Sequence, residues 1–158
     1  MNVPGFVDLQ VNGYKGVDFS SPELTEEDFV YACRELIRQG TVAFLPTIIT
    51  SPRQTYEKNI RLISRAMDRV NLKGHLLGIH LEGPFISPEN GVRGAHNLKW
   101  VQQPDLNLLN NFHDWSRKKI KLLTIAAELE GADEICRHAS SIAGLMPGRY
   151  HTLGNEKE

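Results

Sequence analysis

Apolar and polar residues alternate from Phe6 to Asn12, with Val7, Leu9 and Val11 on one parity and Asp8, Gln10 and Asn12 on the other. This predicts a strand ended by Gly13. The period then changes to that of a helix: Phe29, Ala32, Cys33, Leu36 and Ile37 follow Thr25, a predicted N-cap with Glu26, Glu27 and Asp28 in the first turn, and Gly40 closes the run. Residues 42–47 read as a buried strand interrupted by Pro46. Ser51 and Pro52 then open a second helix as N-cap and first helical residue, with Tyr56, Ile60, Ile63 and Met67 inward. Residues 76–82 predict a third strand, Leu77, Ile79 and Leu81 against Gly78, His80 and Glu82, stopped by Gly83 and Pro84. A third helix over about 105–118 turns Leu108, Leu109, Phe112 and Trp115 inward, and a fourth strand spans 121–128. A fourth helix over about 132–143 carries Ile135, Cys136, Ala139 and Ile142 and stops at Gly144, before a fifth strand over 145–150.

Strand and helix in regular alternation, with crossovers too long for hairpins, imply parallel strands joined right-handedly. The fold class is therefore α/β, a β/α barrel or an open sheet. A complete eight-unit barrel typically needs ~250 residues, so 158 residues accommodate a partial (β/α)8 TIM-type barrel of four to five units. Hydrophobic residues at 41% are those of a globular chain. Lys plus Arg at 18 against Asp plus Glu at 19 gives no electrostatic basis for binding nucleic acid or an anionic membrane. Cys33 and Cys136, far apart and each in a helical stretch, form no disulfide framework and fit a reducing cytoplasm. With no basic-then-apolar leader and no apolar run of ~18 residues, a soluble, untargeted chain is expected, its polar residues 149–158 frayed.

Ligand sites of parallel β/α folds lie at the carboxyl ends of the strands, so Gln10, Asn12, His80, Glu82 and Glu128 are expected at one mouth. Alternation alone also describes a strand with one solvated face, but a sheet covered by helices has no broad wet face. Glu82, between an apolar strand and a Gly-Pro turn, suits a metal ligand or an acid-base group, and equally an acceptor for backbone N–H groups. His80 is either part of that site or a neutral core histidine with both nitrogens satisfied. Residues 85–103 form a long irregular loop rich in Gly, Pro, Asn and His, the kind of loop that carries function. Within it His96 follows Gly94 and Ala95, where a glycine lets backbone approach a ligand, though a plain surface histidine fits as well. His151 is either a second ligand or part of a polar terminus, and His75, His113 and His138 are assigned no role. No phosphate-cradling glycine motif and no Gly-x-Ser-x-Gly turn is present, which removes support for nucleotide binding and serine hydrolysis.

Together, Pro4-Gly-Phe-Val-Asp-Leu-Gln-Val-Asn-Gly13 and His80-Leu-Glu-Gly-Pro-Phe85 resemble the N-acetylglucosamine-6-phosphate deacetylases of the amidohydrolase superfamily. Gly94-Ala-His96 stands at the right distance, residues 124–128 match a strand that ends in Pro-Glu in the family, and coverage runs from about Pro4 to His151. The resemblance implies a cytoplasmic enzyme of amino sugar metabolism that hydrolyses the N-acetyl group of N-acetylglucosamine 6-phosphate, giving glucosamine 6-phosphate and acetate. It makes Glu82 and His151 metal ligands and Ala95 and His96 the substrate-binding pair, with His96 polarising the carbonyl. Where two-metal relatives have His-x-His this chain has Gln10-Val-Asn12, which leaves one zinc-like divalent ion, with Gln10, Asn12 and His80 around its ligands.

The departures are Tyr150 for a glycine, Ala127 for a proline, and an unrelated run from Leu153 onward. The family's third metal ligand, its phosphate-binding groups and its catalytic aspartate would follow residue 158, and its flanking β-domain has no counterpart here. Residues 1–158 thus read as a truncated amidohydrolase-type barrel domain, its N-terminal half, with no catalytic residue of its own. Two functions remain: an incomplete deacetylase that self-associates or pairs with a complementary half-barrel, or a non-catalytic truncated remnant or sugar-phosphate-binding half-barrel.

Overall fold

In the computed structural model, which describes residues 4–142 and 144–154, the alternation of strand and helix is realised. The chain runs β1 (Phe6–Val11), a hairpin of β2 (Gly13–Tyr14) and β3 (Val17–Asp18), α1 (Glu26–Arg38), β4 (Thr41–Ile49), α2 (Arg53–Ala66) and β5 (Ile79–Glu82). It continues through α3 (Leu106–Trp115), β6 (Ile120–Ile125), α4 (Ala132–Ser141) and β7 (Met146–Arg149). The main sheet is ordered β1-β4-β5-β6-β7 and every pair is parallel. Because spatial order follows chain order without a reversal, the sheet curls in one sense as half of a barrel, not as a doubly wound sheet.

One parity of the strands meets the helices. Phe44, Ile48, Ile79, Leu81, Leu123 and Ile125 pack with Phe29, Tyr56, Ile60, Ile63, Phe112 and Ile135 in a single core. The other parity, with Gln10, Thr47, His80, Glu82 and Thr124, bonds strand to strand across the concave face. Thr25 and Asp105 cap α1 and α3 through their side-chain oxygens, as N-caps do. Both cysteines are free, and burial pushes the Cys33 thiol up to about 12. No helix among the described residues is long and apolar enough to cross a membrane.

Several boundaries differ from the sequence reading. Pro46 does not interrupt its strand: β4 runs nine residues through it, and the missing N–H falls in the gap between the Phe44–Leu76 bridge and the ladder that starts at Thr47. The third strand is accordingly shorter than expected. Pro52 is the N-cap of α2, because the Ser51 hydroxyl turns back to the Ile49 carbonyl. The fourth strand ends at Ile125, which removes Glu128 from the strand mouth. The fourth helix ends at Ser141, and the expected end at Ala143 lies outside the described residues. The β2–β3 hairpin was not expected at all; it turns at Lys15 and Gly16, whose φ values of 52° and 82° are those of a two-residue hairpin loop. Val7 and Leu9, on the apolar parity of β1, are exposed, β1 being an edge strand paired with β4 alone.

The hairpin segment is tied down by one buried amide. Asn59 of α2 donates to the carbonyls of Phe19 at 3.0 Å and Ser21 at 2.8 Å, and Ser20 accepts from Ile49 N. Replacing Asn59 by alanine leaves the buried Phe19 carbonyl without this donor and the Ser21 carbonyl with Leu24 N alone, which costs on the order of 1 to 3 kcal/mol. Thermal or urea unfolding of Asn59→Ala should show that loss, whereas Asn71→Ala, at an exposed position, should stay within about 0.5 kcal/mol of the parent.

Candidate metal centre

Glu82 ends β5 between partners on both sides, in register with Ile49 of β4 and Thr124 of β6. The chain must turn immediately afterwards. Gly83 does so at φ +91°, and a Cβ there would lie 2.3 Å from Thr50 Oγ1, so only glycine fits. The Glu82 carboxylate is buried and both oxygens are engaged. Oε2 accepts from Gln10 Nε2 at 2.9 Å and Asn12 Nδ2 at 3.3 Å, which brings the polar parity of β1 onto it. Oε1 faces His151 Nε2 at 3.1 Å and His96 Nε2 at 3.7 Å. Burial pushes this carboxyl up, but the His96 and His151 rings and the Asn12 amide more than reverse the effect and hold it at about 2. It is a fixed negative charge at neutral pH.

The other nitrogen of each ring decides what Nε2 offers. His151 Nδ1 lies 2.9 Å from the Val92 carbonyl oxygen, which only accepts, so Nδ1 carries a proton and Nε2 is the nitrogen left to face Glu82. Nε2 and a carboxylate oxygen at 3.1 Å need a cation between them, a proton on Nε2 or a metal ion. His96 has two settings. Its Nδ1 is 2.9 Å from Thr50 Oγ1, and that hydroxyl also reaches the Glu82 main-chain carbonyl at 3.4 Å. With the hydroxyl turned to the carbonyl, His96 Nδ1 donates and Nε2 is a lone pair; with it turned to Nδ1, Nε2 becomes a donor. The ligand atoms of Glu82, His96 and His151 all lie within 4.8 Å of one another. Two imidazoles and one carboxylate are a donor set suited to zinc-like ions with an open position.

Gln10, Asn12, Ala95, His96 and His151 line one cavity of about 200 Å³ around Glu82. Gly94, at φ +60°, leaves room for the second ring: a Cβ there would come within 3.1 Å of His151 Cε1. His80 sits beneath this group. Its nitrogens meet Thr47 Oγ1 at 3.2 Å and Thr124 Oγ1 at 2.9 Å, and burial lowers its pKa, so it is a neutral, fully bonded histidine that makes no hydrogen bond to the Glu82 carboxylate. Glu128, expected at the mouth, instead accepts from Thr152 Oγ1 and from Leu153 N at 2.8 Å. Residues 149–154 are therefore held, not frayed. His75 and His138 bond to the Val42 carbonyl and to Asn110, away from the cavity.

Three contributors were missed by sequence reasoning. Thr50, one residue past β4, stands at a strand end where polar residues are worth inspection, and that signal would have found it. Arg93 organises the long loop by donating to the carbonyls of His96 at 2.9 Å and Pro88 at 2.5 Å. The Val92 carbonyl is main chain and leaves no signature in the sequence.

Comparison with known proteins agrees with this fold. The model of the amidohydrolase family matches residues 1–149. N-acetylglucosamine-6-phosphate deacetylase of Danio rerio is 41% identical over 157 residues, covering 96% of this chain and 37% of the relative. The Mus musculus enzyme of the same name is 36% identical over 158 residues, again 96% of this chain and 37% of its own. The crystal structure of N-acetyl-D-glucosamine-6-phosphate deacetylase from Mycobacterium smegmatis superposes with a TM-score of 0.82 at 27% identity, covering 96% of this chain and 41% of that one. A mutant of that enzyme in complex with N-acetyl-D-glucosamine-6-phosphate gives 0.83. The chain thus spans about 40% of the length of the relatives it matches. With a singly wound parallel half-barrel, a buried Glu/His/His cluster at its strand ends and a family match along nearly its whole length, the chain belongs to the amidohydrolase family.

Proposed function

We propose that residues 1–158 are the metal-binding, N-terminal part of a barrel domain that hydrolyses the acetamido group of N-acetylglucosamine 6-phosphate to acetate and glucosamine 6-phosphate. The observation that carries this reading is the placement of His151 Nε2, with Nδ1 committed to the Val92 carbonyl, 3.1 Å from a buried carboxylate oxygen. Glu82 and His151 hold one divalent ion, with a further ligand from chain beyond this half. When bound, the ion supplies Lewis-acid polarisation of the amide carbonyl and makes water acidic enough to attack at neutral pH. Gln10 and Asn12 keep Glu82 aimed by occupying its other oxygen. His96 and Ala95 line the substrate side. When the Thr50 hydroxyl turns to Nδ1, His96 Nε2 carries the proton and donates to the carbonyl oxygen as charge develops there. The proton for the leaving amine comes from an acid outside this chain, since none of the cavity residues is a free carboxylic acid.

The concave face has a complementary requirement. Among the described residues β1 and β7 are the outer strands of the sheet, and Phe6, Val7, Leu9, Met146 and Tyr150 are exposed along them. Such edges and apolar groups pair with further strands, and the cover we infer is the remaining half of the barrel or, without it, a second copy of this chain.

Two outcomes are expected. Glu82→Gln should lose affinity for zinc by at least the 10 to 100-fold that altering a metal's outer partners costs. Its stability should barely change, because the amide oxygen can still accept from Gln10 and Asn12 while its NH2 meets the histidine lone pairs. Calorimetric titration and thermal unfolding, with His75→Gln as control, read both; intact affinity with a large loss of stability contradicts the ligand role. Acetate release from N-acetylglucosamine 6-phosphate should be absent or weak for the chain alone. It should rise when the chain is mixed with a polypeptide supplying the later strands of a relative, and the chain's concentration-dependent sedimentation should disappear in that mixture. Substrate binding without acetate release under any pairing would favour the sugar-phosphate-binding reading.

A further inference from the structure

β7 ends at Arg149, so no strand pairing directs the chain at His151, which nonetheless adopts φ +51°, a left-handed conformation uncommon for a residue with a Cβ. Two restraints on it come from the long loop: Ser87 N donates to its carbonyl at 2.9 Å, and its Nδ1 donates to the Val92 carbonyl. The restraint from the sheet side is different. Glu128, in the connection between β6 and α4, spends one carboxylate oxygen on the Thr152 hydroxyl and the other on Leu153 N, the two residues that follow His151. The Thr152 hydroxyl in turn accepts from Ala127 N at 3.1 Å and Gly154 N at 3.0 Å. One donor and two acceptor sites exhaust a hydroxyl, so Thr152 is saturated and can bond in this manner only in this place.

We propose that Glu128 is a positioning residue of the metal centre: its carboxylate, by gripping Thr152 and Leu153, holds His151 in the left-handed conformation from which Nε2 reaches Glu82. The role rests on the reading of Glu82 and His151 as metal ligands. It accounts for a carboxylate that sits at the end of the strand region yet makes no contact with the cavity, and for the ordering of a segment that has no ladder. The chemistry is specific to an acid. Both partners are donors, and an amide in place of the carboxylate would turn an N–H2 toward one of them.

The test is titration of the 158-residue chain with cobalt(II), read by visible ligand-field absorption and by affinity, for Glu128→Ala, Thr152→Val and Thr152→Ser. Thr152→Val keeps the shape of the side chain and removes three hydrogen bonds, so it separates the clasp from packing. The expected result is one cobalt ion in every variant, with affinity 10 to 100-fold weaker and an altered spectrum for Glu128→Ala and Thr152→Val, the range found when partners outside the ligand set are removed. Thr152→Ser should match the parent. Lower unfolding midpoints with unchanged affinity and spectrum would assign Glu128 a structural role only and overturn the proposal. Failure of the underlying reading has a separate signature: the parent chain takes up no cobalt, or Glu82→Gln and His151→Ala bind it as the parent does, and the positioning role then falls with it.

Discussion

A carboxylate buried at the end of a strand must be paired, and the Glu82 charge sets the terms for everything around it. Its partners are distant in sequence: Gln10 and Asn12 on the β1 side, His96 in the loop after β5, and His151 after β7. Only a sheet that curls in one sense brings the ends of its first and last strands to the central one. The singly wound order of the five strands is therefore a requirement of this charge as much as of the hydrophobic core. Neutral amides on one oxygen and imidazole nitrogens facing the other leave the charge in need of a cation, which a divalent ion would supply.

The supporting residues fit the same constraint. Gly83 and Gly94 stand where a Cβ would strike Thr50 or the His151 ring, so each removes an atom to let a polar group approach. Thr50 lies between His96 and the Glu82 backbone and so couples the state of the His96 ring to the end of β5. Beneath them His80 is locked between two threonine hydroxyls and kept neutral by burial, which gives the site a rigid floor without a competing charge.

Much of this was legible in the sequence because it follows from periodicity. The parities of β1 and β5 separate Gln10, Asn12, His80 and Glu82 from the apolar positions, and the strand-end rule then brings them together. The Thr25 cap and the stop at Gly40 were equally local. What escaped depends on long-range pairing or on main chain. Pro46 looked like a break, since local rules do not say that its missing N–H falls in a gap of the ladder. Alternation put Val7 and Leu9 on the apolar parity of β1, but it does not reveal that the strand is at an edge, where both are exposed. Glu128 was assigned to the mouth because β6 was read three residues too long, and its real partners, Thr152 and Leu153, lie in a stretch whose polarity suggested fraying.

The central claim is that Glu82 and the Nε2 face of His151 form a cation site completed by a divalent metal. X-ray absorption at the zinc edge of the loaded chain tests it most directly. The account predicts nitrogen and oxygen neighbours at about 2.0 to 2.2 Å, the outer-shell scattering of at least one imidazole, and no sulfur. A sulfur neighbour near about 2.3 Å, or a first shell without imidazole scattering, would put the ion elsewhere on the molecule and contradict the account.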